Sequence, residues 1–159
     1  KSSDPNIVTK KIVSETFVCV ASPSYILQNG IPKTPSDLTH HRCLIFSAKK
    51  NPTKWRFQNL KSKKNSDNWP PSIDVVLTNQ NQISSINMTK KICIAGGGIA
   101  YLPKFVVQDS LLAGKLQLLF PDWEGPTGTH HICFPLMRNQ PLRVRLFIDF
   151  LFKNLSENK

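Results

Sequence analysis

No apolar run in this chain approaches the roughly 18 residues that a membrane-spanning helix needs, so no such helix is encoded. Cysteine is sparse and widely spaced: Cys19, Cys43, Cys93 and Cys133, with no C-x-x-C. That spacing argues against a disulfide-rich secreted scaffold and against a zinc ribbon. Each cysteine sits among apolar neighbours, as in Val18-Cys19-Val20 and Ile92-Cys93-Ile94, which predicts buried free thiols in a reducing compartment, the cytoplasm. The chain holds no G-x-S-x-G, H-E-x-x-H or Walker loop, and its carboxylates are scattered without a paired acid and base. Neither a catalytic reading nor a cofactor is supported. The chain begins at Lys1 without Met or a basic-then-apolar leader, and it reads as a piece cut from a longer polypeptide.

What is present is a foldable composition. The 159 residues (18.0 kDa) are 40% hydrophobic and 19% charged, enough for one domain or two small lobes. Acidic residues are scarce: 10 against 21 Lys and Arg, giving a net charge of +11. Such a balance favours an anionic ligand or nucleic acid as partner, although the lysines are scattered and read mainly as a solvated surface.

Strands and short helices alternate along the chain. Residues Ile7 to Ile12 read as an extended lead-in. Thr16 to Ala21 is β-branched and apolar on both faces, the pattern of a strand covered on both sides. Ser22-Pro23 opens a short helix that Asn29-Gly30 ends, and Thr34-Pro35 opens a second. Cys43 to Ser47, Lys54 to Gln58 and Ile73 to Leu77 read as strands, with a mobile hairpin loop over Lys61 to Asn68. Thr78-Asn79-Gln80-Asn81 reads as a strand end leading into a helix through Ile83, Ile86 and Met88 that stops at Gly96-Gly97-Gly98. Ile99 to Leu102 is a strand, Pro103 begins a helix that Gly114 ends, and Leu116 to Leu119 and His130 to Leu136 are strands around a loop at 122–128. Val144, Phe147, Ile148, Leu151 and Leu155 form a helical stripe, with Leu142, Leu146 and Phe150 as a second stripe beside it. The alternation implies an α/β fold with a sheet flanked by helices.

Six segments in order carry a resemblance. They are Phe17 to Ile26, with Ala21-Ser22-Pro23-Ser24-Tyr25-Ile26 inside it; Thr34-Pro35-Ser36-Asp37-Leu38 with His41-Arg42-Cys43-Leu44-Ile45; Trp55-Arg56-Phe57; Gly96 to Pro103; Ala113-Gly114-Lys115-Leu116; and Val144 to Leu151. Together they resemble the C-terminal effector-binding domain of LysR-type transcriptional regulators, truncated on its N-terminal side. The resemblance implies a periplasmic-binding-protein-like fold: two α/β lobes joined by crossing strands, with a small effector between them. It assigns residues 1–15 to the end of lobe one and the hinge, 16–137 to lobe two, and 138–159 to a return helix of an incomplete lobe one. It also implies a homo-oligomer, with Phe105 to Leu119 as a candidate interface. DNA would be bound only through a helix-turn-helix domain that these residues do not contain.

Candidate site residues follow from both lines. The turn Thr78, Asn79, Gln80 and Asn81 would present a strand end and a helix start to a ligand, suiting an anionic effector; capping by Asn79 or Asn81 is the plainer reading, and the two can coexist. The resemblance places Pro103 and Phe105 near the cleft, as wall residues. The glycines at 96–98 follow a helix and precede a strand, the reverse of a dinucleotide fingerprint, and read as a helix stop. Two H-x-C pairs, His41-Arg42-Cys43 and His131-Ile132-Cys133, could make a metal site only if their strands were neighbours in register; surface His beside core Cys is favoured, and no metal is assigned. Trp55, Phe57, Trp69 and Trp123 read as core packing rather than base-stacking platforms. The alternatives to effector sensing are a basic nucleic-acid-binding module and a solute-binding protein of the same fold.

Overall fold

The computed structural model describes residues 5–46, 53–61, 71–78, 80–136 and 141–156. The elements run β1 (Ile7–Ala21), α1 (Pro23–Asn29), a 3-10 helix (Pro35–His40), β2 (Cys43–Phe46), β3 (Lys54–Asn59), β4 (Ser72–Val76), β5 (Gln80–Ile83), α2 (Ile86–Ile94), β6 (Ile99–Pro103), α3 (Lys104–Leu112), β7 (Gln117–Leu119), β8 (Trp123–Glu124), β9 (Thr127–Pro135) and α4 (Leu142–Ser156). The fold is mixed α/β. The predicted hairpin loop lies, from residue 62 onward, outside the described residues, as do Asn79 and Trp69. The chain divides into two compact units: Lys1–Glu15 with Thr127–Lys159, and Thr16–Pro126. The reading by resemblance carried the second lobe to residue 137, but β9 groups with the first unit.

In the unit Thr16–Pro126 the main sheet runs β5-β2-β6-β1-β7. β2 is parallel to both β5 and β6, and β1 is antiparallel to β6 and β7. Alternation along the strands sorts the core into two layers. Val18, Val20, Leu44, Ala100 and Leu102 face one way and pack with Cys93 of α2 and Val107 of α3. Cys19, Ala21, Cys43, Ile45, Ile99 and Tyr101 face the other way and pack with Tyr25 and Leu38. That second layer also contains Trp55, Phe57 and Trp123 from a small sheet ordered β4-β3-β8. The six residues of β3 alternate strictly between exposed and buried, as their polar–aromatic pattern requires. Tyr101 is the hub of the aromatic layer, stacked on Trp55 at 5.0 Å and tilted against Phe57 at 5.1 Å and Phe17 at 5.6 Å. Its hydroxyl donates to the Arg56 carbonyl at 2.6 Å, so this buried polar group is satisfied.

Local signals set the ends of the helices. Ser22 caps α1 through its side chain, which accepts from Tyr25 N at 3.3 Å, and Gly30 ends the helix at φ 80. Asp37 Oδ2 accepts from Lys33 N at 2.9 Å and Thr34 N at 2.8 Å, fastening the start of the 3-10 helix. Gly98 is needed for close packing: it sits at φ 153, and a Cβ there would lie 2.5 Å from the Arg42 carbonyl oxygen.

The other unit contains the first part of β1, β9, which pairs with β1, and α4. Lys10 Nζ lies 6.0 Å from the Phe134 ring centroid and 5.9 Å from that of Phe152, so one cation bridges β9 and α4. Of the first apolar stripe of α4, Ile148 is buried and Val144 and Leu151 are half-buried, but Phe147 is exposed. The second stripe, Leu142, Leu146 and Phe150, is exposed along its length. Cys133 is exposed too, which corrects the expectation of four buried thiols; Cys19, Cys43 and Cys93 are buried and free. On a strand whose residues are mostly exposed or half-exposed, apolar neighbours in sequence do not ensure burial.

Candidate anion-accepting face at the carboxyl ends of β5, β2 and β6

Three parallel strands end on one side of the main sheet, at Ile83, Phe46 and Pro103. In open α/β sheets, that side is where ligands bind, because the chain turns there into helices whose N-termini point back at it. Two of the strands turn directly into helices. β5 passes through Ser84 and Ser85 into α2, and β6 passes into α3 at Lys104. Since β2 lies between β5 and β6, the two helix starts flank it. Both contribute partial positive charge, and Lys104 adds a full one.

The two starts differ in capping. Ser85 Oγ accepts from Met88 N at 3.4 Å, and the Ser85 carbonyl accepts from Thr89 Oγ1 at 2.9 Å. Pro103 is the N-cap of α3 and supplies no side-chain hydrogen bond. Beside it Phe105 is 63% exposed, an aromatic ring held on the surface at the start of the helix. The face therefore offers amide donors, a cation and an apolar ring, a set suited to a carboxylate carrying a hydrophobic body.

The sequence-nominated residues fall on opposite ends of the sheet. Pro103 and Phe105 stand on the carboxyl-end face. Gln80 is opposite Cys43, the first residue of β2, and Asn81 is opposite Leu44, so both lie toward the entering end of β5. Thr78 precedes them and is exposed. The premise that Thr78-Asn79-Gln80-Asn81 leads into a helix is thus corrected: Gln80 and Asn81 begin a four-residue strand, and the helix begins after Ser85. The physical reason is tertiary pairing with β2, which holds Gln80 to Ile83 extended although their side chains carry no strand-like apolar alternation. The residues that sequence reasoning missed are Ser84 and Ser85. The signal was present, a Ser immediately before a run with Thr89 and Cys93 one turn apart on the buried face.

The remaining candidates settle elsewhere. The Tyr25 hydroxyl accepts from Arg42 N at 3.0 Å and lies 3.2 Å from His41 Nδ1, so His41 is engaged in packing the α1 region. Burial pushes the His41 imidazole below its ordinary value, against a smaller opposing pull from Asp37. The Cys43 thiol donates to the Leu38 carbonyl, and burial pushes it up to about 12, far from a thiolate. Among the described residues, no cluster of three or more His, Cys, Asp and Glu is arranged to hold a metal ion. Trp55, Phe57 and Trp123 are core residues, which removes them as base-stacking platforms. A cavity of about 160 Å³, lined by Lys33, Asn59, Lys61, Phe120, Asp122 and Trp123, contains none of the nominated residues.

Comparison with known proteins agrees with this architecture. The sequence profile of the LysR substrate binding domain matches residues 1–156. An uncharacterised HTH-type transcriptional regulator of Haemophilus influenzae is 30% identical over 141 residues, covering 89% of this chain and 46% of that protein. The HTH-type transcriptional regulator CrgA of Neisseria meningitidis is 27% identical over 156 residues, covering 98% of this chain and 49% of that protein. The chain thus spans about half the length of the curated relatives it matches. Among solved structures, the regulatory domain of AphB from Vibrio vulnificus is similar with a TM-score of 0.77 at 25% identity, covering 94% of this chain and 71% of that one. The CrgA regulatory domain is similar with a TM-score of 0.73 at 25% identity, covering 97% and 72%.

Proposed function

The chain belongs to the LysR substrate binding domain family, and from that premise we propose that it is the effector-sensing part of a bacterial DNA-binding transcription regulator. The observation that carries this reading is the match of the family profile across residues 1–156. The curated relatives are themselves transcription regulators. The effector is a small anionic molecule, received at the carboxyl ends of β5, β2 and β6. Ser84, Ser85 and the α3 start at Pro103, Lys104 and Phe105 are its contacts in the unit Thr16–Pro126. A ligand that binds two conformations unequally shifts their populations, and the shift is the signal passed to DNA-binding domains elsewhere in the regulator. The regulator acts in the cytoplasm as a homo-oligomer, with the α3–β7 segment from Phe105 to Leu119 as one contact surface.

The test is thermal-shift screening of the 159-residue chain against small organic acids and their uncharged amides, with K104E as the control. Raised melting temperatures for acids alone, lost in K104E, support the reading. Equal responses to acids and amides, or an undiminished response in K104E, overturn the anionic assignment. A gel shift at two salt concentrations addresses the basic charge: tight, salt-steep DNA binding by this chain alone would oppose the sensor reading.

A further inference from the structure

The chain passes between its two units twice, at Glu15–Thr16 and at Pro126–Thr127. Each crossing is flanked by a contact within its own unit. On the Thr16–Pro126 side, Gly125 N donates to the Phe17 carbonyl at 2.8 Å, and the aromatic layer around Tyr101 fixes both segments. On the other side, His130 Nε2 donates to Glu15 Oε1 at 2.7 Å. The Glu15 side chain is only 12% exposed, whereas that of His130 is 56% exposed. Glu15 Oε2 is buried and accepts no hydrogen bond from the described residues.

A buried carboxylate oxygen without a donor is costly, and it offsets what the charge-assisted bond to its twin oxygen contributes. The pair is therefore strong in geometry and weak in net effect. The first crossing strand is β1 and the second leads into β9, so the pair joins the two strands just where they leave their unit.

We propose that Glu15 and His130 form a releasable clasp on the two crossing strands, held near balance by the unpartnered Glu15 oxygen. Opening the clasp lets Oε2 take a donor from water, and the closed and open forms then differ little in free energy. A segment so balanced responds to small biases, which is what a two-state element requires. The clasp is of use to the effector-sensing reading, but the contacts that define it involve no ligand, so the two stand or fall separately.

Amide hydrogen exchange of the 159-residue chain without ligand tests it. H130A is expected to speed exchange by up to about twofold over residues 12–16 and 127–131, the ceiling for a clasp already near balance, while Ile99 to Leu102 of β6 stay unchanged. H130Q, whose amide can donate to Oε1, is expected to restore slow exchange. E15M keeps the bulk and removes both oxygens, and it is expected to leave exchange as slow as in the parent or slower. Acceleration in E15M equal to that in H130A would make the pair an ordinary stabilising contact and overturn the proposal. Acceleration in H130A that includes β6, or no acceleration, would overturn it as well.

Discussion

Gly125 has no side chain because there is no room for one. A Cβ there would collide with the Tyr101 hydroxyl and lie 2.7 Å from Phe17 Cβ. Both neighbours are fixed, Tyr101 by its bond to the Arg56 carbonyl and by stacking on Trp55. G125A is therefore expected to cost about 1–3 kcal/mol by overpacking. A melting temperature within a degree of the parent would show that the aromatic layer yields. A second residue-scale prediction concerns pH. His41 is held below its ordinary value by burial in the folded chain, so the unfolded chain takes up the proton first. Its neutral form costs nothing above pH about 6.5, and stability declines as pH falls from there toward the folded value. Asp37 is lowered by the Thr34 backbone N–H first of all, so its contribution is full above its unfolded value and is lost only as pH falls through the lower folded one. The two windows are separate. H41Q is expected to flatten the melting temperature between pH 7 and 5.5 without altering the acid limb below pH 4; unchanged slopes in H41Q would assign the upper window to another group.

The elements differ in how openly the sequence declares them. α1 has its Ser22 cap, its Pro23 start and its Gly30 stop in plain order, and β3 has strict alternation, so both could be placed from residues alone. β5 could not: Gln80-Asn81-Gln82-Ile83 has no apolar alternation, and what makes it a strand is pairing with β2, a partner more than thirty residues earlier. β8 is two residues long and exists only because Asn59 and Gln58 of β3 are opposite it. The sequence reading of the site followed the misplaced helix start, so Thr78 to Asn81 were nominated while Ser84 and Ser85 were missed. Pro103 and Phe105 came from the resemblance, since no spacing rule marks a strand end whose helix has no side-chain cap. If Ser85 is the true cap of α2, S85A is expected to lower stability by about 1 kcal/mol. N81A is expected to leave it within about 0.5 kcal/mol, since Asn81 is in β5, five residues before α2 begins. Chemical denaturation of both variants decides between the two starts, and a larger loss in N81A would return the helix start to the earlier turn.

At the scale of the molecule, the notable feature is the bare surface of α4. Leu142, Leu146, Phe147 and Phe150 are 58–69% exposed and fall on one broad side of the helix. A contiguous apolar patch of this kind marks a surface that meets something. Basic residues Arg143 and Arg145 share the helix, so the patch does not come from a wholly apolar segment. The matched AphB regulatory domain is longer than this chain, which covers 71% of it, so a longer chain of that kind is the setting in which cover for the patch can be tested. The consequence is a pair of opposite effects from one substitution. In the 159-residue chain, L146E with F150K should reduce concentration-dependent self-association in sedimentation while leaving the melting temperature unchanged, since neither side chain is packed. In a longer chain that includes the covering residues, the same pair should cost about 3 kcal/mol or more, the scale for removing large apolar groups from a packed site. If the short chain loses stability, α4 is already packed within it. If the longer chain is indifferent, the covering surface belongs to a second subunit, and the association constant of the regulator will carry the loss instead.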